Sequence, residues 1–173
     1  MAFGAFIHER GLDIDRSLAD YDGAGDGRYA ERVLFRKLGI EDYDWKERDG
    51  LTLGCTGLHM RSGDMVKLGL LMLNRGEAGG ERLIPAAWVD ESTRRQSEGH
   101  PAWFGHYGLH WWVSDARHNG IVDLYFALGA HGQFLIVAPE RRLVACIRKK
   151  VGALADSGLP LRFFLDRVLP AVG

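Results

Sequence analysis

The chain has 173 residues, 46% hydrophobic and 26% charged, the composition of an ordinary globular protein with room for one sizeable core. A formal net charge of -1 gives no support to a nucleic-acid or anionic-membrane partner, and no stretch approaches the roughly 18 apolar residues of a membrane-spanning helix. Two cysteines, Cys55 and Cys146, make neither a disulfide framework nor a metal site. The opening "MAFGAFIHERG" carries an apolar run too short for a signal peptide, with no basic residue before it, so a cytoplasmic location is expected if Met1 is the true start.

Residues 1–28 are rich in Asp and Gly without a sustained period and read as an irregular N-terminal segment. Asp20, Asp22, Gly25 and Glu31 fall at positions one, three, six and twelve of a calcium loop, but Ala24 and Arg28 occupy positions five and nine. A solvated acidic turn is the better reading. Residues 29–173 read as one domain. "RYAERVLFRKLGI" carries Tyr29, Val33, Leu34 and Leu38 at helical spacing, with Gly39 placed as a C-terminal cap. "EDYDWKERDGLTLGCTG" reads as loop.

"SGDMVKLGLLMLNRG" predicts a largely buried helix, with Ser62 as N-cap and Asp64 in the first turn. "PAAWVDEST" predicts another, with Pro85 at its first position and Trp88 and Val89 turned inward. From Tyr107 the chain breaks into short β-branched and aromatic runs: "YGLHWWV", "IVDLYFAL", "GQFLIVA" and "RLVACIRK". Short connections imply antiparallel neighbours, with a tight turn at "APERR". "LPLRFFLDRVLP" closes the chain as a helix opened by Pro160 and ended by Pro170. The predicted fold class is α+β: an antiparallel sheet flanked by helices.

Candidate chemistry is sparse. Of seven histidines, His106 and His110 stand four apart, which suits a metal ion only on a helix. In the strand pattern "HYGLHWW" they would lie about 13 Å apart, so no metal site and no cofactor is expected. No GxSxG elbow and no Ser-x-x-Lys occurs anywhere in the chain. One oddity remains. In "ALGAHGQFLIVA", Gly129 and Gly132 bracket an alanine and a histidine at the mouth of a strand, where glycine weakens pairing unless something must approach the backbone closely.

The block "GLHMRSGDMVKLGLLMLNRGEAGGERLIPAAWVDEST" resembles the long helical segment of the serine β-lactamase-related hydrolases. That family includes class C β-lactamases, D-alanyl-D-alanine carboxypeptidases (penicillin-binding-protein-like enzymes) and related esterases and amide hydrolases. "LFRKLGIEDYDW" resembles the short helix before it, and "YGLHWWV" with "FALGAHGQFLIVAPERRLVACI" the terminal strands; the likeness runs from about Tyr29 to Lys150. It implies the C-terminal part of a β-lactamase/transpeptidase-like fold.

The resemblance also places Ala130-His131-Gly132 where the family carries a Lys-Thr-Gly-type motif. It implies that Ala130, His131, Gly132 and Gln133 form a substrate strand and oxyanion wall, with the Gln133 N–H directed at the developing charge. The absent lysine and threonine point to a small ester, amide or peptide substrate rather than a penicillin. The family's Ser-x-x-Lys and Tyr-x-Asn are missing, so the chain is expected to be the C-terminal portion of a serine hydrolase and inactive alone. The alternative is a non-catalytic binding or interaction module that retains part of the fold. Lacking the family's N-terminal strands, the sheet is expected to have an open edge through which the chain self-associates.

Overall fold

The computed structural model describes residues 26–53, 56–100, 105–149 and 158–172. The acidic loop at residues 20–25 and the irregular segment before it lie outside them. Helix α1 opens at Asp26–Ala30, runs through a π turn at Glu31–Phe35 and tightens to a 3-10 turn at Arg36–Leu38. Gly39 ends it in the left-handed conformation at φ 61°, as its position after Leu38 predicts. Leu34, Phe35 and Ile40 are buried.

The stretch read as loop forms strands after all, though minimal ones. β1 (Tyr43–Trp45) pairs with β4 (Leu58–Met60), and β2 (Glu47–Arg48) with β3 (Leu51–Thr52). The reason is tertiary. Tyr43 packs edge-on against Phe35 at 4.9 Å, and Trp45 Nε1 donates to the Leu53 carbonyl at 2.9 Å. Neither contact leaves a period in the sequence.

Helix α2 (Ser62–Leu73) follows the predicted bounds, but its N-cap is Arg61, and no side chain caps it. A tight hairpin, β5 (Glu77–Ala78) and β6 (Glu81–Arg82), leads to α3 (Ala86–Ser92), for which Pro85 is the N-cap rather than the first helical residue. Val89 is buried; Trp88, predicted to turn inward with it, is only half-buried at the margin of the same cluster.

Among the described residues the sheet has six antiparallel strands in the order β12-β11-β10-β9-β8-β7. They are β7 (Ser97–His100), β8 (Gly105–Tyr107), β9 (Trp112–Ser114), β10 (Leu124–Gly129), β11 (Gln133–Ala138) and β12 (Leu143–Ile147). A short helix, α4 (Ala116–Asn119), joins β9 to β10, and a 3-10 turn at Pro139–Arg141 makes the predicted "APERR" connection. "YGLHWWV" is not one strand but a turn between β8 and β9. The Gly108 N–H donates to the Trp111 carbonyl at 2.8 Å, the Leu109 N–H to the Ser92 carbonyl at 2.9 Å, and His110 takes φ 66°. A side chain at Gly108 would run into the backbone of Ser92 and Arg94 at the end of α3, which is why the chain bends there.

Two apolar clusters lie on opposite faces of the sheet. Leu135, Val137 and Tyr125 face α1, α2 and α3. Phe126, Phe134 and Ile136 face the closing helix, α5 (Leu159–Phe163), which continues through Phe164–Val168 and Leu169–Ala171 past the expected stop at Pro170. β11 is buried on both sides from Phe134 to Ala138, so it reads as a continuous apolar run and not an alternating one. Each fully buried large side chain in it contributes about 1.5–3 kcal/mol. α2 crosses β11 and β12 at Gly69, where a Cβ would overlap Val144 and stand 3.0 Å from Leu135 Cδ1. No helix among the described residues is long and apolar enough to cross a membrane.

Candidate active-site wall

The hairpin between β10 and β11 carries the residues singled out in the sequence. Gly129 pairs with Gln133 in register, and Ala130-His131-Gly132 connect them as a turn. The Gly132 N–H donates to the Gly129 carbonyl at 3.3 Å, with His131 at φ 64° and Gly132 at φ 83°. The Gln133 side chain braces this turn, its Nε2 donating to the Ala130 carbonyl at 3.4 Å. Gly129, Ala130, His131 and Gln133 are exposed, and Gly132 is buried.

The two glycines differ. Gly132 needs its left-handed backbone, which L side chains adopt only under strain. Gly129 has no positive φ, and a Cβ there would meet Gln133 at 3.5 Å, an ordinary contact. Neither conformation nor packing among the described residues demands glycine at 129.

β10 is half covered. β9 pairs with it only at Leu124, Tyr125 and Phe126. Ala127, Leu128 and Gly129 pair with β11 on one side, and among the described residues have no strand partner on the other. In an antiparallel strand, alternate residues direct their N–H and C=O to each side, so along this edge the half-strand's backbone groups have no strand partner among the described residues. Gln133, the residue assigned the oxyanion N–H, lies inside the sheet opposite Gly129. The turn's N–H groups without a partner among the described residues are those of Ala130 and His131.

Among the described residues, Ser92 and Ser114 are engaged away from this wall. Ser92 is buried and its hydroxyl donates to the Val89 carbonyl at 3.1 Å. Ser114 is buried and accepts from Asn119 Nδ2 at 3.1 Å. Burial pushes the Cys146 thiol up, against smaller lowering effects of Ser62 and Arg148.

A second cluster was missed by sequence reasoning. His106 and His110, expected on one strand, are parted: His110 lies in the turn after β8, and His106 instead meets Asp115 and His118. One potential ligand atom from each lies within 4.8 Å of the others. The signal was the period of two across paired strands, invisible until the β8–β9 register is known.

The sequence matches no protein-family profile and no curated protein. Solved structures are similar. A Bacillus anthracis protein assigned as a 6-aminohexanoate-dimer hydrolase matches at TM-score 0.71 and 18% identity over 90% of this chain and 40% of its own. A Bacteroides dorei protein assigned as a beta-lactamase matches at TM-score 0.55 and 17% identity, over 82% of this chain and 49% of its own. The chain thus spans less than half the length of either neighbour. The likeness shows the fold: the described residues adopt part of a β-lactamase-like fold.

Proposed function

We propose that this chain supplies the substrate-binding wall of an acyl-transfer hydrolase acting on small esters or amides. The observation that supports it is the open half-strand Ala127–Gly129, ending in a glycine that neither backbone conformation nor packing requires. An extended amide can lie along that edge as an added strand would, and Gly129 keeps the approach clear of a side chain. The N–H groups of Ala130 and His131 then face the carbonyl oxygen on which negative charge develops. Gly132 and Gln133 hold the turn that aims them. The 173 residues contain no Ser-x-x-Lys and no Tyr-x-Asn, so nucleophile and base are not among them and the chain alone binds without turnover.

The test is an NMR titration of the ¹⁵N-labelled chain with a linear amide, such as the 6-aminohexanoate dimer named for the B. anthracis neighbour. Amide shifts confined to residues 127–133, abolished in Gly129→Val, are expected. Absence of shifts there, with saturation elsewhere or none, overturns the reading. A fluorophosphonate probe should label no serine. Stoichiometric labelling of one serine, lost in His131→Ala, would instead reveal a complete catalytic site within this chain. Edge binding combined with no serine labelling in any longer form of the protein would turn the reading to a non-catalytic binding module.

A further inference from the structure

We infer that His106, Asp115 and His118 form a binding site for a divalent first-row transition ion of the zinc class, separate from the hydrolase wall. Strand register brings the first two together. His106 on β8 stands opposite Val113 on β9, and Asp115, two residues further on, projects to the same side as a diagonal neighbour. Asp115 then caps α4, its Oδ1 accepting the His118 N–H at 2.9 Å. That cap turns His118 back over the strands. Its Nδ1 lies 3.5 Å from Asp115 Oδ1, and its ring stands edge-on to that of His106 with centroids 4.8 Å apart.

Three features separate this cluster from a chance meeting of surface groups. His106 is only 7% exposed, and its Nδ1 is shut off from solvent without a hydrogen-bond partner among the described residues. Buried polar atoms are nearly always satisfied, so this one calls for a partner. Next, the supporting loop is pinned. Asn119 Nδ2 donates to the Ser114 Oγ and the Val122 carbonyl, its Oδ1 accepts from Ile121 and Val122, and Asp123 accepts the Ala116 N–H at 2.7 Å. Ligands on so braced a frame are largely preorganised. Lastly, the donor set is selective: two imidazoles and one carboxylate suit zinc, cobalt, nickel or ferrous iron, not the all-oxygen preference of magnesium or calcium.

Bonds of about 2.0–2.2 Å hold tetrahedral ligand atoms roughly 3–3.5 Å apart, so the three side chains close by about an ångström around the ion. His118 and Asp115 are on the solvent side and can make that adjustment. One nitrogen of His106 binds the ion. Glu98 stands 3.9 Å from His106 Nδ1 on an exposed side chain, beyond hydrogen-bond distance, so Nδ1 is the nitrogen left for the ion. Ser114 pairs with Leu124, five residues from Gly129 along β10, which puts the cluster about 17 Å from the wall. The ion's place is therefore structural: it ties β8 to α4.

The test uses the whole chain after chelation. Zn²⁺ at about a hundredfold its Kd should raise Tm by roughly 5 °C or more, and Co²⁺ should give the intense visible absorption of a four-coordinate site. His118→Ala and Asp115→Asn should each weaken Zn²⁺ binding at least tenfold; asparagine keeps the helix cap, so loss there reports the ligand and not the fold. His131→Ala, an exposed histidine elsewhere, should bind as the parent does. Equal Zn²⁺ affinity in parent and His118→Ala, equal loss in His131→Ala, or only the spectrum of hydrated Co²⁺ would each overturn the assignment.

Discussion

Tyr125 illustrates how a single buried group ties stability to pH. It is 8% exposed, packed edge-on against Trp111 at 5.2 Å, and burial, with a smaller contribution from the Asp90 charge, holds its phenol well above the usual value. In the unfolded chain it ionises near pH 10. Its pKa is thus raised on folding, so its contribution is fully present below about pH 10 and is lost as pH rises further, because only the unfolded state gives up the proton. The expected slope approaches about 1.4 kcal/mol per pH unit. Urea midpoints of the parent and Tyr125→Phe between pH 8 and 11 check this: the parent should lose stability above pH 10 faster than the variant. Parallel curves would show that the phenol titrates normally. The same scale carries the contrast between Gly129 and Gly132, alike in the sequence and separable only by φ and by what a Cβ would touch.

At the scale of elements, α2 rests on the sheet through a residue with no side chain. Gly69 lets the helix axis approach β11 and β12 until Val144 and Leu135 fill the space a Cβ would take. Gly69→Val should cost about 1–3 kcal/mol through overpacking. In the same helix a Cβ at Gly63 meets nothing within 4 Å, so Gly63→Ala should be neutral or gain up to about 1 kcal/mol from helix propensity. Guanidinium midpoints at constant m separate the two. A Gly69→Val midpoint equal to the parent's would mean that α2 does not press on the sheet as described.

For the whole molecule, the two sheet edges are treated differently. β7 is short and polar, with an irregular register against β8 and Gly99 at φ 62°, features that discourage further pairing. β12 is five residues of Leu, Val, Ala, Cys and Ile, half-buried throughout, and among the described residues it pairs only with β11. Such an edge invites a second chain. Sedimentation at tens of micromolar should therefore show concentration-dependent dimers or larger species; a single monomer across that range would show the edge to be protected.

The sequence alone determined what local periodicity encodes. The spacing of Leu68, Leu71 and Met72, the run "FLIVA" and the cap at Gly39 specify α2, β11 and the end of α1, because helix and strand periods and the left-handed preference of glycine act within a few residues. The α+β class and the likeness to a β-lactamase-related fold rested on those same signals in order. Only the tertiary structure decided the rest. It split "YGLHWWV" by docking Gly108 against α3, paired Tyr43 with Met60, and left half of β10 open beyond Phe126. It also set His106 beside Asp115 and His118, three residues whose meeting depends on register between strands. Register is fixed by which faces bury together across the whole sheet, and no stretch of sequence carries that choice by itself.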